Sequence, residues 1–145
     1  MPLARITIPR NRSIEFRKAI SAGVHRALVE TFDVPESDLF QIIAEQGTEI
    51  ELVHSASYLG IDYSDDLVIV QLTVSDTRTI EQKKRLFARI AANLAESPGL
   101  RAEDVFVNLI EVKKENWSWP RPVATAPRGK TSPRMCGQSR KCLKS

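Results

Sequence analysis

The chain has 145 residues, 42% of them hydrophobic and 27% charged, which suits one soluble domain with a real core. No run approaches the roughly 18 apolar residues of a membrane span, and the N-terminus lacks a signal peptide's apolar stretch, so the cytoplasm is the expected compartment. The net charge of +3 divides unevenly. Residues 120–145 hold Arg121, Arg128, Lys130, Arg134, Arg140, Lys141 and Lys144 with no acid, leaving a body of 14 basic and 18 acidic residues. Such an acidic body argues against a basic nucleic-acid-binding face.

Pro2 opens the chain behind Met1. Removal of the methionine would leave a free secondary amine; an α-amino group has a reference pKa of about 7.7–8.0, which an apolar pocket lowers. Such a nitrogen can serve as general base or acid near neutral pH, although proline after methionine often marks processing alone. Leu3–Ile8 alternates and predicts a strand. Ser13 then reads as the N-cap of a helix to about Phe32, with Ile20, Val24, Leu28 and Phe32 on one stripe. Asp33-Val34-Pro35 ends it, and a strand returns at about Phe40–Ala44.

Residues 47–65 have room for a loop or small hairpin before the pattern repeats. Leu67–Val74 is a continuous apolar run suited to a strand buried on both faces. Thr79 caps a second helix to about Ser97, whose stripe is Leu86, Phe87, Ile90, Ala91 and Leu94. A last strand follows at about Val105–Val112. A shift of 66 residues aligns Ile6–Glu45 with Leu72–Glu111 without a gap and with 11 identities in 40 positions, among them Arg12/Arg78, Asp38/Asp104 and Phe40/Phe106.

The chain thus reads as two β-α-β units, about 2–46 and 66–112. Each crossover helix implies a parallel strand pair. One helix per two strands leaves the second sheet face bare, and symmetric oligomerisation would cover it. Residues 120–145, with Pro120, Pro122, Pro127 and Pro133, read as a basic, disordered extension. No aromatic residue follows Trp119 for base stacking, which weighs against nucleic acid as a partner. Cys136 and Cys142 alone make neither a disulfide framework nor a zinc site, and no metal or other cofactor is expected.

The repeat gives Pro2 the counterpart Val68, so a chain has one amine site. Arg78 lies where a strand hands over to a helix, and its fork can hold a carboxylate beside the backbone donors of the helix N-terminus. A helix-end salt bridge is the structural alternative.

Three stretches carry a family resemblance: Met1-Pro2 opening a strand; Arg78-Thr79-Ile80-Glu81-Gln82-Lys83-Lys84; and Pro98–Phe106 running on to Asn116-Trp117-Ser118-Trp119. Over about residues 2–119 the chain resembles a fused, two-copy member of the tautomerase superfamily, nearest in pattern to the malonate semialdehyde decarboxylase group. The resemblance implies an α/β (α+β) fold with a four-stranded sheet, two helices on one face and assembly as a homotrimer. It implies a single domain over 1–119 and a cofactor-independent tautomerase of small 2-oxo acids or enols, with decarboxylation or hydration as the alternative. Pro2 would be the catalytic amine, Asp38 a catalytic aspartate near it and Arg78 the carboxylate-binding group. Trp117 and Trp119 would form an aromatic wall, and His25 would contact substrate.

Each has a plainer reading: turn residue for Asp38, core packing for the tryptophans, a solvated helix histidine for His25. Asp76 departs from the decarboxylase pattern, which has an arginine there, and Leu39 and Pro120-Arg121-Pro122 depart from it too. An oligomeric binding protein with residual tautomerase activity is the rival from another class.

Overall fold

The computed structural model describes residues 2–47 and 49–118; Met1, Trp119 and the basic extension 120–145 lie outside the described residues. Strand β1 (Leu3–Pro9) leads through helix α1 (Ile14–Phe32) to β2 (Gln41–Gln46). A hairpin of β3 (Ser57–Tyr58) and β4 (Ile61–Asp62) follows, and then β5 (Val68–Ser75), α2 (Ile80–Glu96) and β6 (Val105–Val112). The sheet order is β2-β1-β5-β6.

The 66-residue repeat is visible as symmetry. β1 pairs with β2 in parallel, Ala4 opposite Gln41, and β5 pairs with β6 in parallel, Val70 opposite Val107, so both units share one internal register. The units meet through the antiparallel pair β1–β5, with Arg5 opposite Gln71. Those two residues are repeat equivalents, so a pseudo-two-fold axis passes between them. The parallel pairing expected of each unit holds, and the sheet as a whole is mixed.

Both helices start as the sequence predicts. The Ser13 hydroxyl accepts from Phe16 N–H at 3.1 Å. Thr79 and Gln82 form a reciprocal capping box at 3.0 and 3.2 Å, which satisfies two otherwise orphaned donors. α1 ends at Asp33, whose φ of 53° is left-handed, and Pro35 cannot continue a helix. The hairpin turns at Leu59 and Gly60, with φ of 52° and 77°, the paired positive angles that match the twist of its strands.

The core lies between the helices and one face of the sheet. Ala4, Ile6 and Ile8 of β1 and Val68, Val70, Leu72 and Val74 of β5 meet Ile20, Val24 and Leu28 of α1 and Leu86, Ile90 and Leu94 of α2. Within the chain β5 is buried on one face: Ile69, Gln71 and Thr73 face away and are half-buried, on the face that the sequence reading leaves for an oligomer to cover. Phe87 leaves the predicted stripe and is 37% exposed. On the open face Ile42, Phe106 and Ile110 are exposed, and Gln71 donates to Asn108 at 3.2 Å.

The helices approach closely at Gly23, where an added Cβ would lie 2.8 Å from Leu94 Cδ2. Buried Asn93 uses that approach: its Nδ2 donates to Gly23 O at 2.9 Å and its Oδ1 accepts from Arg26 at 2.9 Å. Asn93→Ala removes both bonds and leaves a void between the helices, so a loss of about 1–3 kcal/mol is expected, read as a lower urea midpoint at unchanged slope.

Candidate active site

The antiparallel β1–β5 pairing carries Pro2 to the far end of β5. Leu3 stands opposite Thr73, so continuing the register puts Pro2 beside Val74, a few residues before Arg78. The two line one cavity of about 210 Å³, together with Phe32, Val34, Val74, Ser75, Asp76, Thr77 and Lys114. Pro2 is buried and Arg78 half-buried. The site therefore joins the start of the first unit to the strand–helix junction of the second, within a single chain.

Arg78 is fixed from three sides. Its Nη2 donates to Phe32 O at 2.8 Å and its Nη1 to Thr77 Oγ1 at 3.2 Å. The guanidinium carbon lies 5.1 Å from the centroid of the Phe32 ring, within cation–π range. The bond to Phe32 O satisfies a carbonyl in the last turn of α1, where a cation also suits the helix dipole. No carboxylate among the described residues pairs with it, so the helix-end salt bridge is not its arrangement. Its remaining donors can take a ligand carboxylate. The α2 terminus offers less than the sequence suggested, because its capping box uses the Thr79 and Gln82 donors.

Other sequence candidates lie elsewhere. Asp38 is half-buried in the turn before β2, with its N–H on Pro35 O at 2.9 Å. It precedes Phe40, whose carbonyl accepts from Ala4 N–H at 3.0 Å, so it lies near the chain start but not on the cavity wall. Its counterpart Asp104 is buried and structural, accepting from Ser64 N–H at 2.7 Å and Ser64 Oγ at 2.8 Å. His25 holds Glu36 O at 2.9 Å and borders a shallow depression with Ile14, Leu39 and Ile43; it does not line the Pro2 cavity. Trp117 is half-buried behind the short turn Lys114–Asn116, and Trp119 lies outside the described residues. Among those residues no cluster of three His, Cys, Asp or Glu side chains could hold a metal ion.

Lys114 is the lining residue that the sequence reading missed. Its signal was position: it follows β6 by two residues, and β6 ends beside Ser75 of β5. Phe32, Val34 and Val74 supply the apolar wall.

The pseudo-two-fold axis also generates a second cavity, of about 410 Å³, lined by Pro9, Arg10, Arg12 and Glu51 among others. Both of its arginines are paired within the chain. Arg12, the counterpart of Arg78, pairs with Asp66, and Arg10 pairs with Glu51. The Gly47 N–H, and after it Arg10, hold the Glu51 carboxyl below the usual carboxylate range. With Val68 in place of Pro2, this end has neither an amine nor a free cation pair.

Comparison with known proteins agrees with this architecture. A family described as tautomerase enzyme matches residues 40–119, and a second of the same description matches residues 2–49. The probable tautomerase YusQ of Bacillus subtilis strain 168 is 34% identical over 119 residues, which cover 82% of this chain and 93% of YusQ. Among solved structures, FG41 malonate semialdehyde decarboxylase inhibited by 3-bromopropiolate is 38% identical at a TM-score of 0.74, covering 81% of this chain and 88% of that one. A fused 4-OT that forms a symmetric trimer shares the fold at 21% identity and a TM-score of 0.64, over 77% of this chain and 86% of that one.

Proposed function

This chain belongs to the tautomerase family, and on that premise we propose that it is a cofactor-independent keto–enol tautomerase of small 2-oxo acids, with Pro2 as the proton carrier. The observation that carries the proposal is the single cavity shared by Pro2 and Arg78, one from each repeat. After loss of Met1 the Pro2 nitrogen accepts the enol hydroxyl proton and delivers a proton to the adjacent carbon, so the enol becomes the ketone and the amine returns to its starting state. Arg78 holds the substrate carboxylate and stabilises charge that develops on the enolate oxygen. The apolar wall of Phe32, Val34 and Val74 favours the neutral amine over the ammonium. Asp38, near the chain start, orients the amine or a water.

The chain acts as a homotrimer in this reading, because Ile42 and Phe106 on the open sheet face are each nearly half exposed, and burying such apolar residues against another subunit is favourable. In this reading Trp117 and Trp119 contact the substrate, as the family resemblance implies. The cytoplasm is the proposed location.

A decarboxylase is the second reading, favoured by the 38% identity to a malonate semialdehyde decarboxylase. There a protonated Pro2 would act as the acid. Ketonisation of phenylenolpyruvate, followed by absorbance, against release of carbon dioxide from a 3-oxo acid separates the two. The tautomerase reading expects the first to dominate; carbon dioxide release without ketonisation would replace it.

A further inference from the structure

The two ends of the molecule treat their charges differently. At the Val68 end each arginine has a carboxylate partner. At the Pro2 end Asp76, Arg78 and Lys114 line one small cavity, and none of the three has an ion-pair partner among the described residues. Asp76 N–H donates to Val112 O at 3.1 Å, which fixes it at the end of β6. Ser75 stands opposite Val112, so Asp76 follows the end of β5 and Lys114 the end of β6 at the same edge of the sheet. Asp76 and Lys114 thus bring opposite charges to one cavity without an ion pair between them.

We propose that Asp76 and Lys114 are specificity-determining residues that set the charge accepted at the cavity mouth and so favour an enol monocarboxylate, whose one carboxylate Arg78 takes. The proposal rests on the Pro2 cavity being the substrate site. Two cations and one anion leave a single positive charge for the ligand to match. A dicarboxylate would set its second negative charge against Asp76, a like-charge contact that disfavours it. Both side chains are exposed, so they act on binding more than on the chemical step, where the half-buried Arg78 dominates.

The test compares phenylenolpyruvate with enol-oxaloacetate in the wild type, Asp76→Asn, Lys114→Met and Lys114→Arg. Lys114→Met is expected to raise the KM for phenylenolpyruvate about tenfold with kcat within about twofold, the signature of lost uniform binding, and Lys114→Arg to restore most of it. Asp76→Asn is expected to shift the kcat/KM ratio about tenfold toward the dicarboxylate. A KM that does not move in Lys114→Met, or a ratio that does not move in Asp76→Asn, overturns the proposal. If the wild type turns over neither enol, the tautomerase reading fails separately. Calorimetric binding of 2-oxobutanoate against oxaloacetate in the same variants then decides the pair. A shifted affinity ratio supports it, and an unchanged ratio or no binding overturns it.

Discussion

Pro2→Ala is expected to lower kcat/KM for phenylenolpyruvate by about 10²–10⁴-fold, the range for losing a positioned general base. Alanine is also small, so Met1 would still be removed and an amine would still stand at the chain start. What disappears is the ring that fixes the nitrogen against the wall of the cavity. A primary amine there turns freely about its bond to Cα, and its lone pair is seldom aimed at the substrate. The sheet should be unaffected, because the pairing of β1 begins at Leu3. Equal melting temperatures for wild type and variant, with turnover collapsed in the variant, are the expected pair of results. Retained turnover would remove the amine from the mechanism.

Arg78→Ala is expected to cost about 10²–10³-fold in kcat/KM, as for other groups aimed at developing charge. It also removes the bond to Phe32 O and the contact with the Phe32 ring, so a stability loss of about 1–2 kcal/mol accompanies it. Arg78→Lys separates the two effects: it keeps a cation near the carbonyl but loses the planar fork that matches a carboxylate. Its stability should lie near that of the wild type and its kcat/KM about tenfold lower. Arg12→Ala, the repeat-equivalent change, is the control. Arg12 is committed to Asp66 at the end that carries Val68, and its loss should leave kcat/KM within about twofold, as for a residue outside the site.

Much of this fold was legible in the sequence because both units obey the same local rules. Ser13 and Thr79 stop the chain from continuing as strand in the same way, and the stripe from Ile20 to Phe32 can face only one sheet. The 66-residue shift predicts two like units but says nothing about how they join. The antiparallel β1–β5 register that carries Pro2 to Arg78 is a tertiary fact, and no local periodicity encodes it. Phe87 shows the same limit on a smaller scale. Its spacing fits the apolar stripe of α2, but the buried residues are Leu86, Ile90, Asn93 and Leu94, with Asn93 meeting Gly23 of α1, and Phe87 is left outside.

The site was legible in its chemistry and less so in its extent. Pro2 and Arg78 stand out because an N-terminal amine and a junction arginine have few equivalents in the chain. Asp76 was visible as a break in the family pattern. Lys114 lies in an ordinary charged run, and only its position across from the end of β5 makes it a wall of the cavity. His25 carried a chemically suggestive side chain, yet the helix face that presents it looks toward Glu36 and not toward Pro2.

The central claim is that the Pro2 amine moves the proton. Its most direct test pairs an intact mass with an NMR titration of the ¹⁵N-labelled Pro2 nitrogen, set against the pH profile of kcat/KM. The account predicts that Met1 is absent and that the amine titrates at the pH where a limb of the profile turns. A retained Met1, or a profile that passes through the amine's titration without a change of slope, would contradict it.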